Sequence, residues 1–93
     1  MRIQICKRLI LGQVVVTNNA NETLSIFDIN LALMRHQSCD WGEVCDEDWQ
    51  TNNEAVSHSD RVLSAYRSSI GQKFWSITKS DRSVTTVLLP EDY

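Results

Sequence analysis

The chain reads as one α+β domain whose sheet is an antiparallel β-meander of four to five strands, with two helices packed on one face. Three observations predict it. The last third holds three β-rich runs separated by short turn clusters. Two stretches between residues 25 and 58 carry helical apolar spacing. A length of 93 residues fits one core and leaves no room for a second domain, so residues 1–93 are read as a single unit. With 42% hydrophobic and 23% charged residues, the composition is globular and far from the disordered regime.

Residues 2–16 read as one or two strands. Leu9-Ile10-Leu11-Gly12-Gln13-Val14-Val15-Val16 is rich in β-branched residues and ends at Thr17-Asn18-Asn19, a turn-forming cluster. Gly12 marks a candidate bulge. At Ser25 the period changes. Ser25 is a candidate N-cap, with Asp28 three residues on, and the spacing predicts a helix over 26–36 with Ile26, Ile29 and Leu33 on its buried face, widened by Phe27, Leu31 and Met34. The segment from Gln37 to Cys45 has no sustained period and contains Gly42, so it is a loop anchored by Trp41. Asp46-Glu47-Asp48 then places carboxylates where a helix N-terminus favours them, and Trp49 and Val56 share one face of a second helix over 47–58.

The meander follows. Val62–Tyr66 is a strand, Ser68–Gln72 a turn, and Lys73–Lys79 a strand that alternates Trp75 and Ile77 against Phe74, Ser76 and Thr78. Ser80–Ser83 turns again, and Val84–Leu89 is a strand stopped by Pro90. The expected core is Ile29, Leu33, Leu63, Trp75, Ile77, Val87 and Leu89.

No stretch approaches the roughly 20 apolar residues of a spanning helix, and the charged start of the chain lacks the pattern of a signal peptide. The expected compartment is the cytoplasm. Three cysteines, Cys6, Cys39 and Cys45, have no framework spacing and suit free thiols in a reducing environment.

Net charge is −3, unevenly spread. Residues 37–60 hold Asp40, Glu43, Asp46, Glu47, Asp48, Glu54 and Asp60 without a Lys or Arg, while each flank carries a net +2. Carboxylates steer encounter with a basic partner and aromatic residues supply desolvated anchors, so Asp40, Trp41, Glu43, Asp46, Glu47, Asp48 and Trp49 are the expected partner-binding set. The bland reading places both tryptophans in the core and leaves the carboxylates as a hydrated rim.

Other chemistry has weaker signals. His36, Cys39, Cys45 and His58 supply four nitrogen and sulfur donors, though their spacing matches no familiar zinc motif. The carboxylates do not follow an EF-hand, since Cys45 stands where that loop requires glycine. A thiol nucleophile at Cys39 or Cys45, with His36 or His58 as base, is disfavoured by the surrounding carboxylates, which raise a thiol pKa. Lys73, Lys79 and Arg82 with Phe74 and Trp75 place cations and aromatics on one hairpin, a single-strand-binding combination, but the negative total disfavours direct nucleic-acid binding. No phosphate loop or other cofactor motif is present.

Four strings carry a resemblance: Arg35-His36-Gln37-Ser38-Cys39-Asp40-Trp41-Gly42, Glu47-Asp48 followed by Asn53 and Ala55, Arg61-Val62-Leu63-Ser64-Ala65-Tyr66, and Asp81-Arg82-Ser83-Val84-Thr85-Thr86-Val87-Leu88-Leu89-Pro90-Glu91-Asp92-Tyr93. Together they resemble a family of small uncharacterised proteins of bacterial plasmids and related mobile elements, over most of the chain from about Leu11. That pattern has Gly at the position of Cys39, an isoleucine at Ser76 and an acid at Lys79. A glycine at position 39 weakens both the zinc and the thiol readings. The resemblance implies a bacterial cytoplasm and an accessory gene, a setting in which small acidic proteins that block host nucleases or defence complexes recur.

The expected function is therefore a non-enzymatic accessory protein that binds a basic protein surface, with no cofactor and no membrane association. The alternative is a small enzyme or nucleic-acid-binding protein with its site at loop 36–46. A homodimer through an exposed meander edge is a third possibility.

Overall fold

The computed structural model describes residues 9–93. Residues 1–8 lie outside that description, and with them Cys6 and the first half of the predicted 2–16 strand. The element order is β1 (Gln13–Val16), α1 (Asn18–Thr23), α2 (Ile26–Gln37), α3 (Asp46–His58), β2 (Val62–Arg67), β3 (Lys73–Thr78), β4 (Val84–Leu88) and a closing 3-10 turn (Pro90–Asp92). This is the expected α+β class, with two corrections.

First, the sheet is mixed. Its strand order is β1-β4-β3-β2, with antiparallel pairing across β4-β3-β2 and β1 parallel to β4 at the edge. The short turns at Ser68–Gln72 and Ser80–Ser83 impose the antiparallel part. β1 enters from a distant part of the chain, so nothing in its β-branched run sets its direction; Gln13 N–H on Ser83 O and Thr17 N–H on Val87 O, at 2.9 and 3.0 Å, fix it.

Second, the described residues form three α-helices. Thr17-Asn18-Asn19 starts a helix because Thr17 has extended backbone and its hydroxyl accepts the Ala20 N–H at 3.2 Å, while Asp92 accepts from the Thr17 hydroxyl and the Asn19 amide, both at 2.7 Å. The other two helices stand where their spacing and caps predict. Ser25 caps α2 through the Asp28 N–H, and Cys45 caps α3 through the Asp48 N–H. α2 ends in a Schellman turn: Cys39 N–H reaches His36 O, Asp40 N–H reaches Arg35 O, and Cys39 takes a φ of +64°.

Alternation places Val62, Ser64 and Tyr66, Phe74, Ser76 and Thr78, and Thr85 and Val87 on one side of β2–β4, and all are buried. Two core clusters rest on that side. One joins Ala20, Leu24, Ile29 and Ala32 of the first two helical segments to Tyr66, Phe74, Val87 and Leu89. The other joins Leu9, Cys39, Trp41 and Ala55 to Val62.

Several expected core positions change as a result. Ile29, Val87 and Leu89 are buried, but Trp75, Ile77, Leu63 and Leu33 are only half-buried, and β3 has turned its Phe74-Ser76-Thr78 side inward. The reason lies in the polar pairing described below, which makes a row of hydroxyls burial-compatible. In α2 the buried face is Ile29, Ala32 and His36, whereas Ile26, Phe27, Leu31 and Met34 face solvent.

Candidate functional site

Two arrangements bear on function, a buried polar chain and an acidic helix face. The first begins at His36, which α2 aims into the sheet. Its ring is fully buried, Nδ1 meets Ser64 Oγ, and Nε2 lies 2.8 Å from Thr78 Oγ1. Thr78 Oγ1 meets Thr85 Oγ1 at 2.7 Å, and the Thr85 hydroxyl donates to Leu11 O at 2.7 Å. Following the protons assigns every role. Thr85 gives its only hydrogen to Leu11, so Thr78 donates to Thr85 and must accept from His36 Nε2–H; Nδ1 then accepts from Ser64. The imidazole is neutral, and burial, helped by the Arg82 charge, pushes its pKa down to about 4. A serine beside a histidine is also the geometry of an activated nucleophile, but Ser64 and His36 are both fully buried, so this pair closes the core and meets no solute.

Trp41 belongs to the same interior. It is fully buried, its ring packs edge-on to His36 with centroids 5.7 Å apart, and its Nε1 donates to Asn53 Oδ1 at 2.8 Å. The loop that carries it is fastened to the β2 edge by Ala65 N–H on Trp41 O and Glu43 N–H on Ala65 O. Gly42 is obligatory between them, because a Cβ there would stand 2.0 Å from Ala65 O at a φ of +74°.

The predicted acidic set divides. Asp40 is engaged by Arg35, with Nε at 2.8 Å from Oδ2 and Nη2 at 3.3 Å from Oδ1, and the same guanidinium lies 4.7 Å from the centre of the Tyr66 ring. The Arg35 and Gly42 hydrogen bonds outweigh partial burial and hold the Asp40 carboxyl below the usual range. Glu43 pairs with Arg67 at 2.9 Å. Asp40 thus ties the loop back to α2 and Glu43 ties it to β2. Asp46, Glu47 and Asp48 are exposed in the first turn of α3, with Glu54 two turns on. A groove of about 590 Å³ runs along that helix, lined by Asp46, Trp49, Gln50, Asn53, Glu54, Ser57 and His58. Of the two expected tryptophan anchors, Trp49 alone is partly exposed.

The candidate metal ligands are not brought together. No group of three or more His, Cys, Asp or Glu suited to a metal occurs among the described residues. His36 spends both nitrogens on hydroxyls, Cys39 is buried and disulfide-bonded, Cys45 is exposed and free, and His58 is exposed at the far end of α3. The disulfide corrects the expectation that Cys39 is a thiol, and it removes Cys39 as nucleophile or ligand.

The proposed nucleic-acid hairpin also separates. Phe74 is buried and Arg82 donates to the carbonyls of Ala55, Asp60 and Lys79, whereas Lys73, Trp75, Ile77 and Lys79 alternate onto the other side of β3. Sequence reasoning missed the His36 chain altogether; its only trace was the unexplained alternation of small hydroxyl residues in β3. No helix among the described residues is long and apolar enough to cross a membrane. Comparison of the chain with protein-family models, with curated proteins and with solved structures returns no match.

Proposed function

We propose that this is a non-enzymatic accessory protein of a bacterial mobile element that engages a basic protein surface through the outer face of α3. The observation that carries the reading is the composition of that face: Asp46, Glu47, Asp48 and Glu54 are exposed along one helix without a Lys or Arg, beside a groove containing Trp49. The carboxylates raise the rate of encounter with a cationic surface, and Trp49 with the groove supplies desolvated contact once the partner docks. Of the residues the sequence grouped with them, Trp41 supports the helix from within by donating to Asn53, while Asp40 and Glu43 are engaged by Arg35 and Arg67. An inhibitor of a host nuclease or defence complex fits such a surface, because those targets present nucleic-acid-binding cations.

The test is the triple variant Glu47→Gln, Asp48→Asn and Glu54→Gln, measured against a partner captured from the host. Affinity is expected to fall at least tenfold, with a weaker salt dependence than the native chain. Unchanged affinity would remove the proposal.

A second reading rests on one observation, the cationic and aromatic side of the sheet. Taking the helices to cover the Phe74 side, Lys73, Trp75 and Ile77 of β3 face outward beside Arg67 of β2, with Lys79 and Arg61 just beyond the strand ends, and no strand residue on that side is acidic. Arg67 is occupied by Glu43, and Arg61 donates to the Tyr93 hydroxyl, whose ring edges onto Trp75 with centroids 5.7 Å apart. Such a face suits stacking of single-stranded bases. Titration with an oligothymidylate should quench tryptophan fluorescence in the native chain and not in Trp75→Ala; no quenching at low salt would dismiss this reading.

A further inference from the structure

Helix α2 turns a stripe of large apolar side chains to water. Phe27 is 73% exposed, Leu31 46% and Met34 65%. Their spacing of four and then three residues stacks them on one face, flanked by Asn30 on one side and Arg35 on the other. The stripe itself has no charge. Solvent-facing helix surfaces normally carry charged residues, as α3 does. The stripe is widened by Ile26, 70% exposed, and by Ile70, 78% exposed in the β2–β3 turn. Ser69 holds that turn against the start of α2, its N–H and hydroxyl donating to Asp28 Oδ2 at 3.2 and 2.9 Å. At roughly 200 Å² for a fully exposed large side chain, covering these five residues would bury on the order of 600 Å² per copy, near the lower end of specific interfaces.

We propose that the covering element is α2 of a second copy, packed antiparallel about a two-fold axis that passes close to Leu31. The stripe is self-complementary in that arrangement. Phe27 meets the second copy's Met34, placing a thioether against an aromatic ring, and the two Leu31 side chains meet at the axis. Asp28 and Arg35 flank the stripe but are engaged within the chain, Asp28 by Ser69 and Arg35 by Asp40 and Tyr66, so the pairing rests on the apolar side chains. This surface is distinct from α3 and from the sheet edge, and the dimer would display two copies of the acidic face.

Sedimentation of the full chain from about 1 to about 100 µM tests it, since dimer mass must appear as concentration rises. The native 10.7 kDa chain is expected to approach twice its mass. Phe27→Lys alone and Met34→Glu alone should each stay monomeric, with circular dichroism confirming the fold. Their equimolar mixture should regain the dimer, because one interface pairs the new cation with the new anion and the other keeps the native Phe–Met contact. Leu31→Lys mixed with Leu31→Asp repeats the test at the axis if either first variant fails to fold. A native chain monomeric throughout, single variants that remain dimeric, or a folded mixture that stays monomeric would each overturn the proposal.

Discussion

His36 governs how the buried core responds to mild acid. It is fully buried with a pKa near 4, against about 6.5 for a solvated imidazole, so the unfolded chain takes up a proton that the native core refuses. The depressed native value fixes the sign: stability is full above about pH 6.5 and declines as pH falls towards 4. The step should be worth about 3 kcal/mol. Urea titrations at intervals through that window should show it, and His36→Gln should abolish it while lowering stability at neutral pH. A native chain equally stable at pH 7 and pH 4.5 would contradict the assignment. Asp28, Asp81 and Asp92 accept hydrogen bonds that also hold their pKa values down, but their contribution fades below the ordinary carboxylate range, outside the histidine window. Little of this was legible beforehand, because a lone histidine at position 36 reads equally as ligand, base or core; its hydroxyl partners lie 28 and 42 residues away.

At the scale of elements, β3 is where pattern and structure part. Strict alternation fixed the strand and its two sides, and the preference for burying tryptophan pointed Trp75 and Ile77 inward. The chain buries Phe74, Ser76 and Thr78 instead, since Thr78 is satisfied by His36 and Thr85, and Phe74 packs on Tyr66 at 5.9 Å between ring centres. Ser76 Oγ is buried with no hydrogen-bond partner among the described residues, the one flaw in that row. Phe74→Ala should therefore cost about 3 to 5 kcal/mol and Trp75→Ala less than half as much, in denaturant unfolding of the two variants side by side. The reverse order would restore the inward Trp75. Helix caps were far more legible than helix faces. Ser25 and the Asp46-Glu47-Asp48 run mark local chemistry, whereas α2 has apolar residues almost all round and its inward side depends on what the sheet offers.

For the whole molecule, exposed charge and exposed apolar residues fall on different elements. The carboxylates are concentrated on α3, and the large exposed apolar residues Phe27, Leu31 and Met34 are on α2. If α2 pairs with a second copy, stability becomes coupled to association, and the thermal midpoint should rise with protein concentration in calorimetry, while Met34→Glu should hold it constant. The acidic block of residues 37–60, uninterrupted along the chain, is not one surface. Asp40 and Glu43 neutralise arginines of α2 and β2, whereas Asp46, Glu47, Asp48 and Glu54 stand exposed on α3.

The linear chain by itself determined what short-range chemistry controls: an α+β composition, the cap of α2, the acidic first turn of α3, the turns of the meander and the strand ended by Pro90. Only the tertiary structure decided the parallel edge strand, the inward side of β3, the burial of Trp41 and the partners of Asp40 and Glu43. Those depend on groups far apart in sequence meeting across the sheet. Alternation and periodicity define faces but carry no information about which face finds a histidine, an arginine or water.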